Sequence, residues 1–174
     1  MKRITTIVLL VMLLALSVTP TSVWASDNFV APLNGAEEAP VPRDTDARGL
    51  ATFKWNKEGT AFDYTLIAAN IENVTAAHIH CGAAGVAGPV GVTLLHNMPP
   101  GGGAFDGVLA QATITAPDVP ASGVNPCGWV TMADVFSAMN SGNTYVNVHT
   151  NDGVAPTNTG PGDFPGGEIR GQIH

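Results

Sequence analysis

Residues 49–68 read GLATFKWNKEGTAFDYTLIA and contain two alternating runs on either side of a short turn. In the first run, Ala51 and Phe53 alternate with Thr52 and Lys54. The second run places Phe62, Tyr64, Leu66 and Ala68 on one side and Asp63, Thr65 and Ile67 on the other. Successive side chains of a strand point to opposite faces, so both runs predict half-buried strands. The Gly-containing turn at residues 57–59 predicts that they form a β-hairpin.

Similar runs predict further strands at residues 28–33, 74–80, 89–95, 108–115, 145–150 and 168–174. One helix is expected, because Thr131 can cap it, Asp134 suits its N-terminus and Gly142 stands where a helix ends. Seven or eight strands and one short helix predict an all-β fold, an antiparallel β-sandwich or flattened barrel.

The composition agrees with a turn-rich β domain and excludes one class of partner. The 174 residues include 20 glycines and 13 prolines, and only 12% are charged. Hydrophobic residues reach 45%, which argues against disorder. The chain has seven Lys and Arg residues and 14 Asp and Glu residues, so its formal net charge is −7. Because phosphate binding needs a basic face, nucleic acid is not an expected partner.

The first 25 residues have the pattern of a secretory signal peptide. Lys2 and Arg3 precede an apolar run at residues 4–18, and Ala25 stands at a cleavage position for signal peptidase. The run is shorter than the roughly 20 apolar residues that a membrane span needs. We therefore expect residues 1–25 to be removed, residues 26–174 to form a single domain without a membrane span, and the protein to be secreted or periplasmic.

Two cysteines, Cys81 and Cys127, remain in this exported chain. An even pair in a secreted domain predicts a disulfide. The alternative is that Cys81, which directly follows a histidine pair, ligates a metal.

Three histidines fall on matching positions of two predicted strands. His78 and His80 are two residues apart and share one face, while Ile79 points to the other. On a later strand, Val146 and Val148 face one side, and Asn147 and His149 face the opposite side. Imidazole is a suitable ligand for copper and zinc, so three imidazoles on one face predict a shallow, outward-facing mononuclear metal site for one of these ions.

Two charged residues of the last strand share this face. Glu168 is expected to orient an imidazole N–H, and Arg170 to attract an anion to an open metal position. Metal binding is expected to weaken as the pH falls through about 6.5. The alternative is that the histidines merely hydrogen-bond the loop at residues 151–164.

An ordered set of short motifs resembles the chordin-type (CHRD) domain. These are LNG at 33–35, EEAP at 37–40, AAHIH at 76–80, GPV at 88–90, YVNVHT at 145–150 and GEIRGQI at 167–173. The resemblance covers nearly the whole mature chain. In animals this domain occurs in extracellular chordin, which sequesters bone morphogenetic proteins. It implies a secreted binding module, with an extracellular protein or surface ligand as its partner.

A fainter resemblance is to copper–zinc superoxide dismutases, which also carry a His-x-His strand, a later strand that ends in histidine, and a late arginine. His78, His80, His149 and Arg170 follow in that order here. Residues 81–92 contain no histidine or aspartate, so the zinc-binding loop of that family is missing. The resemblance implies a copper-only site at most, on a superoxide-dismutase-like or immunoglobulin-like fold.

Three functions follow from these patterns. The first is a secreted, non-catalytic CHRD binding module with a mononuclear metal site at the three histidines. The second is a copper-binding redox protein distantly like a copper-only superoxide dismutase. The third is a structural protein of the cell surface.

Overall fold

A computed structural model describes residues 27–119 and 125–174, so the predicted signal peptide lies outside the described residues. The strands are β1 (Asn28–Asn34), β2 (Arg48–Trp55), β3 (Phe62–Glu72), β4 (Val74–Cys81), β5 (Val90–Leu95), β6 (Ala104–Ile114), β7 (Thr144–Thr150) and β8 (Ile169–Gln172). One α-helix, α1 (Met132–Asn140), precedes β7, and two 3-10 turns cover Gly35–Glu37 and Ala116–Asp118. The predicted all-β class with one short helix is confirmed.

The eight described strands form one antiparallel sheet in the order β5-β4-β7-β8-β1-β2-β3-β6, which curls into a nearly closed barrel. The predicted hairpin is the β2–β3 pair, in which Trp55 lies opposite Phe62. Strand β6 begins four residues earlier than predicted, at Ala104. The Gly-rich loop before β6 gave no periodic signal for that start.

The barrel interior is filled by the apolar half of each alternating strand. Phe53, Leu66, Val146 and Ile169 are at most 1% exposed. The helix adds Phe136, whose ring lies 5.6 Å from Phe29 and 5.0 Å from Trp55, centroid to centroid. Thr131 and Asp134 form the predicted capping box at its N-terminus.

The outer face of β7 and its neighbours is not open to solvent. Two loops cover it, the 82–89 loop between β4 and β5 and the 151–168 loop between β7 and β8. The Arg170 guanidinium donates to the Ala83 carbonyl at 3.0 Å, and the Phe164 amide donates to Thr150 Oγ1 at 2.9 Å. Residues at both faces of β7 are consequently buried.

Candidate metal centre

The structure brings the three predicted histidines together. Strand β4 carries His78 and His80, and β7 carries His149, with His149 opposite Ala76 in the antiparallel register. One ligand nitrogen from each ring lies within 4.8 Å of the other two. The ring centroids are separated by 5.0 Å for His78–His149, 5.7 Å for His78–His80 and 5.8 Å for His80–His149. The period-two prediction that these side chains share a face is confirmed.

Backbone carbonyls fix the proton on two of the rings. His80 Nδ1 lies 2.9 Å from the Gly88 carbonyl, and His149 Nδ1 lies 3.0 Å from the Pro165 carbonyl. A carbonyl only accepts, so each Nδ1 carries the hydrogen and each Nε2 keeps its lone pair. Both Nε2 atoms, and His78 Nδ1, are buried without a hydrogen-bond partner among the described residues. This arrangement of a carbonyl-oriented imidazole with a free second nitrogen is typical of metal-ligating histidines.

Burial keeps these imidazoles neutral. It lowers the pKa of His78 and of His80 to about 4, with further lowering from the neighbouring histidines and, for His80, partial compensation by the Gly88 carbonyl. Burial also lowers the pKa of His149. All three rings can therefore ligate below the unperturbed pKa of about 6.5, and proton competition at His78 and His80 is expected near pH 4.

The site is more enclosed than the expected shallow, outward-facing one. His80 is only 7% exposed and Asn147, opposite His78, is 4% exposed, while His78 and His149 are half-buried. The reason is that the 82–89 and 151–168 loops fold over the polar face and supply the carbonyls that orient the histidines.

Glu168 does not orient an imidazole. Its Oε1 accepts a hydrogen bond from the Thr45 hydroxyl at 2.6 Å. Its Oε2 accepts from the Thr150 hydroxyl at 2.7 Å and from the Gly162 amide at 2.9 Å. The carboxylate is fully buried and pins the 151–168 loop onto the sheet. It therefore supports the loop that contacts His149 rather than the ring itself.

Arg170 is buried rather than aimed at an open position. Its guanidinium carbon lies 3.5 Å from the centroid of the Tyr145 ring, as a cation–π contact. Tyr145 in turn stacks on His80, at 4.9 Å and 13° between the rings. The Tyr145 hydroxyl accepts from the Gly88 amide at 2.9 Å and donates to the Gly88 carbonyl at 3.2 Å. Arg170 and Tyr145 thus hold His80 and the loop that orients it.

Sequence reasoning missed Glu38, which lies beside this face. Glu38 follows the first 3-10 turn and is 6% exposed. Asn147 Nδ2 donates to its Oε2 at 3.4 Å. Burial raises the pKa of Glu38 to about 7, against smaller lowering by Asn147, Arg170 and Arg43. A lone glutamate in a proline-rich loop has no periodic signal, so nothing in the sequence pattern marks it as buried.

The predicted disulfide joins Cys81 to Cys127, with Cα atoms 5.7 Å apart. Both cysteines are therefore paired, and Cys81 is not a metal ligand in this state. Because Cys81 directly follows His80, the disulfide anchors the end of β4 that carries the histidine pair.

Comparison with known proteins identifies a family to which this chain is similar over most of its length. In the described part of the chain, no helix is long and apolar enough to cross a membrane. Neither a curated protein nor a solved structure matches the chain. The family model of the CHRD domain matches residues 29–173, which include the helix, all three histidines and all of the described strands except the first residue of β1. The chain therefore belongs to the CHRD domain family.

Proposed function

We propose that this protein is a secreted CHRD binding module that holds one copper ion on His78, His80 and His149. The observation that carries the proposal is the convergence of three neutral imidazoles, one buried and two half-buried, each of which has a buried nitrogen without a hydrogen-bond partner among the described residues. Buried polar atoms without partners are costly, and an ion at their centre would satisfy all three at once.

The spacing of the ligand nitrogens supports a single ion. Metal–imidazole bonds are about 2.0 Å long, so two nitrogens on one ion lie at most about 4 Å apart. The three candidate nitrogens already lie within 4.8 Å of one another. Three nitrogens in a tetrahedral site lie about 3.3 Å apart, so binding would require a contraction of up to about 1.5 Å, which ring rotations can supply.

The ligand chemistry favours copper over zinc. Imidazole suits both ions, and a given nitrogen site binds copper(II) more tightly than zinc(II). The chain supplies three nitrogens, and the two orienting carbonyls raise the basicity of their imidazoles. We therefore expect both metals to bind and copper to displace zinc.

Secretion is the second part of the proposal. The disulfide between Cys81 and Cys127 is typical of an oxidising compartment, and the signal pattern at residues 1–25 provides the route. CHRD domains are binding modules for extracellular proteins, so the expected partner is extracellular too. Mass spectrometry of the exported protein should find a chain that begins at Ser26, and a chain that retains Met1 would contradict this part.

The metal proposal is tested by isothermal titration of chelator-treated protein with copper(II) and with zinc(II). Wild type should bind one ion, and a His78→Ala/His80→Ala double variant should lose that uptake. His174→Ala is the matched control, since His174 is exposed and outside the cluster. Equal uptake by wild type and the double variant would overturn the proposal.

A further inference from the structure

Two buried oxygen acceptors lie on the histidine face without a donor. Glu38 Oε1 and Asn147 Oδ1 have no hydrogen-bond partner among the described residues. The two side chains contact each other, through Asn147 Nδ2 and Glu38 Oε2 at 3.4 Å. Native proteins rarely leave such atoms unpaired, and an enclosed water is the usual explanation.

The register places this pair beside the metal centre. Asn147 lies opposite His78 in the β4–β7 ladder, and it is two residues from His149 on the same strand. Opposite residues of an antiparallel pair have Cβ atoms about 5 Å apart and share a face. The Asn147 amide therefore lies between the histidine cluster and Glu38. Gly167 packs directly against this amide, and a Cβ atom at Gly167 would overlap it.

The chemistry of the missing partner follows from the two acceptors. When Glu38 is ionised, both free atoms only accept hydrogen bonds, so the partner must then offer two donors. A water molecule does this with its two O–H groups, and its lone pairs then point away from both oxygens. Those lone pairs suit a cation. The three histidine nitrogens leave a metal ion with an open fourth position for such a ligand.

We propose that Glu38 and Asn147 hold a water molecule against the three-histidine centre, where it is the fourth ligand of the metal. This inference rests on the proposed copper site. Glu38 and Asn147 are positioning residues: they orient the water and do not contact the ion. They would favour a ligand with O–H donors at that position over an anion such as azide, which only accepts.

Electron spin-echo envelope modulation of the copper(II)-loaded protein in deuterated water tests this inference. Wild type should show imidazole nitrogen modulation together with the deuterium modulation of a bound water. In Glu38→Gln an uncharged amide replaces the carboxylate and can turn an N–H donor toward the water, so the deuterium modulation should decrease. Azide, followed by its charge-transfer absorption, should bind about tenfold more tightly to this variant, as one lost charge-assisted hydrogen bond implies.

Glu37→Gln is the control, because Glu37 is the exposed neighbour of Glu38 and should behave as wild type. Asn147→Ala is a second variant that removes the other acceptor, and the same changes are expected. If wild type shows the nitrogen modulation but no deuterium modulation from a bound water, this inference alone is overturned. It is also overturned if Glu38→Gln and Asn147→Ala both keep the deuterium modulation and the azide affinity of wild type. Absence of the nitrogen modulation would overturn the copper site and the inference with it.

Discussion

The substitution Glu38→Gln should stabilise the metal-free protein at alkaline pH. The pKa of Glu38 is about 7 in the folded protein, against 4.5 for an unperturbed carboxyl, because the folded state buries it. The folded protein therefore holds a proton that the unfolded chain has released between pH 4.5 and 7. The contribution of Glu38 to stability falls across this window as pH rises, by about 1.4 kcal/mol for each pH unit.

Over the whole window the loss is about 3 kcal/mol, and glutamine, which never ionises, avoids it. The variant should equal wild type near pH 4 and exceed it by up to about 3 kcal/mol at pH 8. Urea unfolding in the presence of a chelator, at intervals from pH 4 to pH 8, measures this difference directly.

The difference between Glu38→Gln and wild type reports on Glu38 alone, because histidine protonation affects the stability of both proteins equally. Glu37→Gln should show no such pH-dependent gain, since Glu37 is exposed. A difference between Glu38→Gln and wild type that stays constant from pH 4 to pH 8 would refute the reasoning. It would mean that Glu38 titrates as an ordinary exposed carboxyl.

Three further predictions concern the histidines, the disulfide and Gly167. Metal-free Glu38→Gln, which lacks the opposing titration of Glu38, should gain stability between pH 4 and 6.5, because His78 and His80 bind protons there only when unfolded; a flat urea midpoint of this variant over that range would contradict this. Reducing the disulfide, which spans 46 residues, should cost about 4 kcal/mol in urea unfolding, and an unchanged midpoint would contradict the chain-entropy estimate. Gly167→Ala should lower the melting temperature more than Gly107→Ala, which shares its positive φ but has open space around it; equal losses would show that contact with Asn147 does not matter.

The fold was largely predictable because its strands alternate cleanly. Phe53, Leu66 and Val148 are all buried on the face that the period of two assigns to them. The helix was predictable from its capping residues, and Thr131 and Asp134 form the expected box. The early start of β6 was not predictable from the sequence, because Ala104 lies between a glycine loop and residues that are exposed on both sides of the strand. Periodicity gives no signal in such a strand.

The composition of the metal centre was predictable for the same reason, but its depth was not. The alternation of side chains along a strand places His78, His80 and His149 on one face, whether or not loops cover that face. A covered polar face and an exposed one have the same alternating pattern, since both place hydrophilic residues at every second position. Only the loops distinguish them, and loops have no period. The roles predicted for Glu168 and Arg170 were wrong because they assumed an exposed surface.

The burial of this polar face is itself evidence that the face has a function. Arg170, Glu168 and Glu38 are each at most 6% exposed, although an exposed surface would hydrate them at no cost. Hydroxyl and amide donors satisfy Glu168, and a carbonyl and an aromatic ring accommodate Arg170. The unpaired buried atoms of the described residues include a Glu38 oxygen and one nitrogen of each of the three histidines, whose ligand nitrogens converge on one region. A fold that satisfies most of its buried polar groups and leaves these free has the arrangement expected of a site that awaits a ligand.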